Sequence, residues 1–315
     1  MTRAVVATAF GGPEVLSVVD VEVGPPGPGE VAVDVRAAGV NPIDHKVYSG
    51  FMGSDPASLP MRLGFEAAGV VTAVGADAVG PAGPVGVGDE VVVFRTTGAY
   101  ADRLVVPAAS VVPKPAALDW PAAAGLMLTG ATAVHALTAT AVGAGDTVLV
   151  HGAAGGVGLV AVQLAALRGA RVVATASPGR HDALRALGAE PVAYGAGLEE
   201  RVRALAPDGV DASLDLVGTD EAVDVSLALT KDRGRIATIA AFGRAGSAGI
   251  KALGGGPGAD PGTAVRDAAR LELVDLVNAG RLVVTVAATY PLAEAAAAHA
   301  ALREGHAAGK IALVP

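Results

Sequence analysis

The 315-residue chain has no cysteine. That excludes disulfides, thiolate metal ligands and a cysteine nucleophile together. Aromatic residues make up 3% of the chain although hydrophobic residues make up 52%, so its cores must be filled with alanine, valine and leucine. Positive charge is also scarce: 23 Lys and Arg stand against 31 Asp and Glu, a formal net charge of −8. An acidic chain without a Lys/Arg cluster excludes nucleic acid and anionic membrane surfaces as expected partners and leaves a small molecule. MTRAVVATAF, residues 1–10, has neither the sustained apolar stretch nor the cleavage pattern of a signal peptide, so a cytoplasmic location is expected. Residues 147–167 carry no charge over about 21 residues, the length of a membrane span. Their middle argues against one, because Val148-Leu149-Val150 reads as a short buried strand and a glycine-rich turn follows it. One further absence is local: no Asp or Glu occurs between Asp146 and Asp182.

The length favours two domains, and the chain has two styles. Residues 3–118 hold short Val-rich runs such as Val31-Ala32-Val33-Asp34-Val35 and Glu90-Val91-Val92-Val93, separated by Pro/Gly stretches such as GPPGPGE at 24–30. That pattern suits a small barrel-like β domain. DWPAAAGLMLTGATAVHAL, 119–137, reads as helical with Asp119 as N-cap. From Asp146 strand, turn and helix alternate. Strands are expected at 147–150, 171–174, 192–194, 212–216 and 235–239, and helices at 157–167 and 180–187. Such alternation implies a parallel, doubly wound sheet, hence an α/β class. An irregular Gly/Pro-rich stretch (251–263), a helix (263–278), a strand (282–287), an Ala-rich helix (292–303) and a last strand (310–314) complete the chain.

HGAAGGVGLV opens at His151. Its glycines lie between an expected strand and an expected helix, where a phosphate needs backbone N–H donors and side chains would block its approach. A tight turn with nothing bound is the alternative; the strand before, the helix after and a second strand about twenty residues on favour a dinucleotide. That second strand ends in Ala176-Ser177-Pro178-Gly179-Arg180. An acid there would accept the ribose hydroxyls of NAD, whereas Ser177 and Arg180 offer a hydroxyl and a cation to a 2′-phosphate. NADPH is therefore the expected cofactor, unless Arg180 merely begins an exposed helix.

The stretches AGVNPIDHKVYSG (38–50), LGFEAAGVVTAVG (63–75), VGDEVVVF (87–94), LMLTGATA (126–133), HGAAGGVGLVAVQLA (151–165), LGAEPVAY (187–194) and GKIALVP (309–315) run nearly end to end. Through them the chain resembles the medium-chain dehydrogenase/reductase superfamily, and within it the zinc-independent quinone oxidoreductase and enone reductase branch. The resemblance implies a GroES-like catalytic domain, 1–118, completed by 286–315, and a Rossmann NADPH-binding domain, 119–285, with the active site in the cleft between them. The zinc branch carries an early Cys and a Gly-His-Glu; here Asn41 and Gly64-Phe65-Glu66 stand in those regions, and Phe cannot ligate zinc. The four-Cys lobe is missing. Six His remain, none at metal-ligand spacing with another: His151 is expected at a strand end, and His299 and His306 on or after the last helix. No metal is expected. For cofactor contacts the resemblance implies Asn41 and Lys46 near the nicotinamide ribose and Thr129 at the carboxamide. It implies Ala154, Gly155, Gly156 and Val157 along the pyrophosphate, and Tyr194 beside the adenosine ribose phosphate. Ile239, Ala240 and Ala241 follow a strand at its carboxyl end, where such sheets place ligands; core packing is the other reading of these three.

Hydride addition to a quinone or to the β-carbon of an enone builds negative charge on an oxygen, so a zinc-free site needs a donor there. Lys46 and Tyr48 are the expected catalytic candidates, with Asp44 either a partner of Lys46 or the cap of a local turn, and Tyr48 equally readable as a packing residue. Many relatives carry a Tyr where this chain has Met52, which counts against enoyl-thioester reduction, the runner-up activity. A non-catalytic NADPH-binding protein is the alternative from another class. A homodimer is expected. Arg180→Ala should weaken NADPH by a charge-assisted contact of about 1.5–3 kcal/mol and leave NADH unaffected in steady-state kinetics; equal use of the two coenzymes by the unmodified protein would contradict the assignment.

Overall fold

The computed structural model describes residues 1–256, 258–305 and 308–315. His306 lies outside the described residues, as do Ala307 and Pro257 of the expected irregular stretch. The chain divides into two compact units, one of 1–128 with 270–315 and the other of 129–269. Both boundaries lie inside the expected 119–285 segment. The first is displaced because the buried alanines of the helix after Asp119 pack on the first unit's strands. The second is displaced because Arg270 donates to the Ala109 carbonyl at 2.7 Å and Asn278 accepts from the Ala116 amide at 3.1 Å.

In the first unit β1 (Thr2–Ala7), β2 (Leu16–Val21) and, beyond α1 (Pro42–Tyr48), β4 (Met61–Arg62) form a three-stranded sheet. The larger sheet holds β3 (Glu30–Val40), β5 (Glu66–Val74), β8 (Glu90–Phe94), β9 (Arg103–Pro107) and β10 (Val111–Pro113); a hairpin of β6 (Val79–Gly80) and β7 (Gly83–Pro84) stands apart. β3 is its centre, antiparallel to both β5 and β9. Val31, Val33 and Val35 of β3 are buried with Leu104 and Val106 of β9. The chain then enters α2 (Trp120–Ala124) and α3 (Met127–Ala139). α2 begins where it does because Asp119 Oδ1 accepts the Ala122 N–H at 2.9 Å and Pro121 occupies the first turn.

The second unit contains β11 (Thr147–His151), α4 (Gly156–Leu167), β12 (Arg171–Thr175), α5 (His181–Ala186), β13 (Ala189–Val192) and α6 (Leu198–Leu205). There follow β14 (Ala212–Asp215), α7 (Asp220–Leu229), β15 (Ile236–Thr238), α8 (Phe242–Ala248) and β16 (Lys251–Ala252), then α9 (Thr263–Asn278). The sheet order is β13-β12-β11-β14-β15-β16 and every pairing is parallel. The strands run outward from β11 in both directions, so the switch point lies between β11 and β14, where sheets of this kind bind ligands. α4 is apolar apart from Gln163, whose amide donates to the Leu159 carbonyl at 2.9 Å, and it is buried from Gly158 to Ala165, as a helix inside such a layered fold must be. The charge-free stretch 147–167 is thus a strand, a turn and a helix, and among the described residues no helix is long and apolar enough to cross a membrane.

Two expected strands lie elsewhere. β13 pairs with β12 from Val172↔Ala189 to Thr175↔Val192, so it ends where 192–194 was expected to begin. The strand expected at 282–287 is β17 (Val286–Pro291), because its partner β18 (Lys310–Val314) reaches no further back than Val286. Between them lies α10 (Ala295–Glu304), and β18 closes onto β3 with Ile311 opposite Val40.

Candidate functional site

In the second unit the loop between β11 and α4 is shaped by two glycines. Gly152 takes a φ of +70°, and a Cβ on Gly158 would lie 2.4 Å from the Gly152 carbonyl, so the helix can rise directly from the strand end. Gly155 is the N-cap of α4 and no side chain caps the helix. The first amides of α4 therefore lack a side-chain acceptor, which fits an anionic group at that end. Ala154, Gly155, Gly156 and Val157 all have exposed surface on this loop. Beneath it His151 is buried; Thr175 Oγ1 lies 3.4 Å from its Nδ1 and accepts the Gly152 amide at 3.3 Å. Burial holds His151 down to about 4, hence neutral.

Ser177 and Arg180 flank the turn after β12, with Ser177 as N-cap of a 3-10 turn (Pro178–Arg180), and both keep partial exposure. Tyr194, past the end of β13, is 61% exposed. Ile239 and Ala240 are partly exposed and Ala241 is buried, directly after β15. Thr129 is buried on α3. These positions, apart from Thr129, follow the carboxyl ends of β11, β12, β13 and β15.

In the first unit α1 follows β3 and carries three of the expected residues with divergent fates. Tyr48 is fully buried, its hydroxyl 3.1 Å from His299 Nδ1 and its ring edge-on to His45 and His299. Of the two readings of Tyr48, the structure favours the packing residue over a donor to substrate, because Asp44 and Tyr48 are four apart on one helical face and both turn into the core. Asn41 is also turned inward: it is 1% exposed, and Nδ2 donates to the Gly39 carbonyl at 3.1 Å and to Glu66 Oε1 at 3.0 Å. Its Oδ1 accepts from Lys310, whose Nζ also reaches the Val40 carbonyl at 3.2 Å and Glu66 Oε1 at 2.9 Å. Glu66 Oε2 accepts the Leu128 amide at 2.8 Å. Lys46 alone of the three stays half-buried, its Nζ 5.9 Å from the ring centre of Phe51, which is 57% exposed. Desolvation holds the Lys46 amine below its ordinary value.

Asp44 caps α1, accepting the Asn41 amide at 2.8 Å on one oxygen and the Gly64 amide at 3.1 Å on the other. Burial pushes its carboxyl up to about 7 against those bonds and one from Tyr100. Tyr100, also fully buried, lies 3.1 Å from His299 Nε2. Burial keeps His299 neutral by holding it down to about 4. With Asp44 ionised, the Tyr100 proton goes to Asp44, so Tyr100 must accept from His299 Nε2–H, and His299 Nδ1 must accept from Tyr48. Donor economy thus orients a four-residue chain, Tyr48 to His299 to Tyr100 to Asp44. Of these, sequence reasoning singled out only Asp44 and Tyr48; Tyr100, His299 and Lys310 gave no local signal beyond being rare polar side chains in apolar runs.

Comparison with known proteins agrees with both units. Residues 27–116 match the family described as alcohol dehydrogenase GroES-like domain, and residues 187–313 match the family described as zinc-binding dehydrogenase. The chain is 41% identical over 214 residues, 67% of its length, to the spectinabilin polyketide synthase system protein NorB of Streptomyces orinoci, of which the match spans 9%. It is 39% identical over 180 residues, 56% of its length, to the quinone oxidoreductase of Pseudomonas aeruginosa, of which the match spans 53%. A mycobacterial protein solved in complex with NADPH superposes with a TM-score of 0.85 at 32% identity, covering 100% of each chain. Zinc, for which one matching family is named, does not fit this chain. Asn41 and Glu66 are committed to the Lys310 ammonium, Phe65 has no ligand atom, and among the described residues no three His, Asp or Glu side chains gather as a metal site.

Lys310→Met should cost about 3–5 kcal/mol in urea denaturation, because it strands a buried carboxylate; pairing it with Glu66→Gln should recover part of the loss, and strictly additive losses would contradict a coupled pair. In ¹⁵N-histidine NMR at pH 8, His299 should show the Nε2–H tautomer and should gain no second proton until the pH falls toward about 4; an Nδ1–H tautomer would reverse the chain derived above.

Proposed function

Because the chain belongs to the medium-chain dehydrogenase/reductase superfamily, we propose that it is a zinc-independent oxidoreductase that transfers hydride from NADPH to a quinone or an α,β-unsaturated carbonyl. The observation that carries this reading is the uncapped amino end of α4 at the switch point of a parallel sheet, beside a β12 end that bears Ser177 and Arg180 and no acid. The bound nicotinamide would supply the hydride. The amides of Ala154, Gly156 and Val157 would hold the pyrophosphate, with Gly155, whose own amide donates to the Gly152 carbonyl, lying along it; Ser177, Arg180 and Tyr194 would hold the adenosine phosphate. Thr129 and residues 239–241 would receive the nicotinamide half.

With Tyr48 tied to His299, Lys46 is the remaining α1 candidate to offset charge on the substrate oxygen. Its half-buried, partly desolvated amine suits that task, since a donor with less water to shed needs less reorganisation as charge develops. The exposed ring of Phe51 beside it offers a planar apolar surface for a conjugated substrate. Similarity to a polyketide synthase protein favours enoyl-thioester reduction as a second reading, against which stands Met52, where the family resemblance implies a Tyr in many relatives.

NADPH oxidation measured against quinones, enones and enoyl thioesters should be fastest with the first two. Lys46→Ala should lower kcat/KM by the equivalent of about 2.7–4 kcal/mol, the cost of one lost transition-state donor. Turnover of thioesters alone would favour the second reading, and NADPH binding without turnover of any of them would leave a binding protein.

A further inference from the structure

Asp215 and Thr238 end two neighbouring parallel strands, β14 and β15, and stand opposite each other in register. Both are fully buried. Asp215 Oδ1 accepts the amides of Val217 at 3.1 Å and Gly218 at 2.7 Å, and Oδ2 accepts the Thr238 hydroxyl at 2.7 Å. The Thr238 proton is thereby used, and its oxygen accepts the amides of Ala240 at 3.1 Å and Ala241 at 2.8 Å. The Ile239 amide donates to the Asp215 carbonyl at 3.1 Å. One carboxyl and one hydroxyl thus gather the amides of two loops, 216–218 and 239–241. The loops also touch: Gly218 sits at a φ of +83°, and a Cβ there would lie 2.7 Å from the Ala240 Cβ. A buried carboxyl is a costly way to close a turn that water or a neutral group could close, and this one holds both loops at the carboxyl ends of strands, on the opposite side of β11 from β12 and β13.

We infer that Asp215 and Thr238 are positioning residues that hold the 239–241 loop in the form that receives the nicotinamide half of the dinucleotide. The inference rests on the cofactor reading above. Ser177, Arg180 and Tyr194 assign the adenosine half to the β12–β13 side of the glycine loop, so the other half of a dinucleotide bound across the switch point must extend over β14 and β15. The amides of residues 239, 240 and 241 are all consumed within the protein. The Ala241 carbonyl already accepts the Arg244 and Ala245 amides at the head of α8, so what this loop has left to offer is the carbonyl oxygens of Ile239 and Ala240, which suit the N–H donors of a carboxamide. Without the Thr238 hydroxyl two amides lose their acceptor at once, and the loop must turn to satisfy them elsewhere.

Thr238→Val keeps the shape and removes the hydroxyl; Thr238→Ser keeps the hydroxyl; Asp215→Asn keeps the volume and replaces an acceptor with a donor. Calorimetric titration with NADPH and with 2′,5′-ADP, which lacks the nicotinamide, separates the two halves. Thr238→Val and Asp215→Asn should each weaken NADPH about tenfold or more, a loss of about 1.4 kcal/mol, and leave 2′,5′-ADP within twofold. Thr238→Ser should restore NADPH to the unmodified value. Equal loss of both ligands, or no rescue by serine, would mean that the pair serves only the scaffold. Unchanged NADPH binding in Thr238→Val would overturn the inference and leave the cofactor reading standing. Failure of the unmodified protein to bind NADPH would overturn both.

Discussion

The Lys310 ammonium and the Glu66 carboxylate meet at 2.9 Å beside a core built mostly of valine and alanine, and the first unit is arranged around their need for partners. Two charges withdrawn from water are tolerated only when every remaining donor and acceptor is satisfied. Here Val40 and Asn41 complete the ammonium, and Asn41 and Leu128 complete the carboxylate. Those partners come from the end of β3, the start of α1, the start of β5, the head of α3 and β18. A pair of this kind adds little net stability compared with a hydrophobic replacement. Its effect is on geometry, because it ties together four separate stretches of chain, at Val40–Asn41, Glu66, Leu128 and Lys310.

α1 inherits that arrangement. Asn41 precedes it, Asp44 caps it, and Tyr48 is drawn inward through His299 and Tyr100. In a chain with 3% aromatic residues, two of the four tyrosines are spent on this one buried chain, so they fill volume and carry hydrogen bonds together. Lys46 is left half-exposed on the same helix as a consequence: the face that bears Asp44 and Tyr48 is fully committed, and the remaining turn must look elsewhere.

The second unit solves its problem with backbone in place of side chains. At the carboxyl ends of its strands a glycine turn, a helix without a side-chain cap and loops whose amides are gathered by Asp215 and Thr238 bring main-chain groups together. This division suits the composition: an Ala- and Gly-rich chain can bring backbone close to a ligand at little steric cost, while its few polar side chains are concentrated where the first unit needs order.

Much of the architecture was legible along the chain. Periodic alternation after Asp146 placed β11, α4, β12 and β14 within a residue or two, and the glycine spacing identified the turn that joins strand to helix, because these depend on local pattern and steric limits. Strand ends that depend on a partner were not legible: β13 and β17 are displaced since pairing with β12 and β18, not hydrophobicity, sets their register. The site divided the same way. The sequence by itself determined a glycine-rich strand-to-helix turn, an acid-free strand end and the lack of zinc ligands at Asn41 and Phe65. Only the tertiary structure decided that Asn41 and Tyr48 are turned into the protein, that Lys310, some 270 residues from Asn41, pairs with Asn41 and His299 with Tyr48, and that Asp215 and Thr238 share one cluster of amides. The physical reason is that a lone polar residue in an apolar run carries no sign of its partner; burial forces it to find one, and the fold alone brings that partner within 3 Å of it.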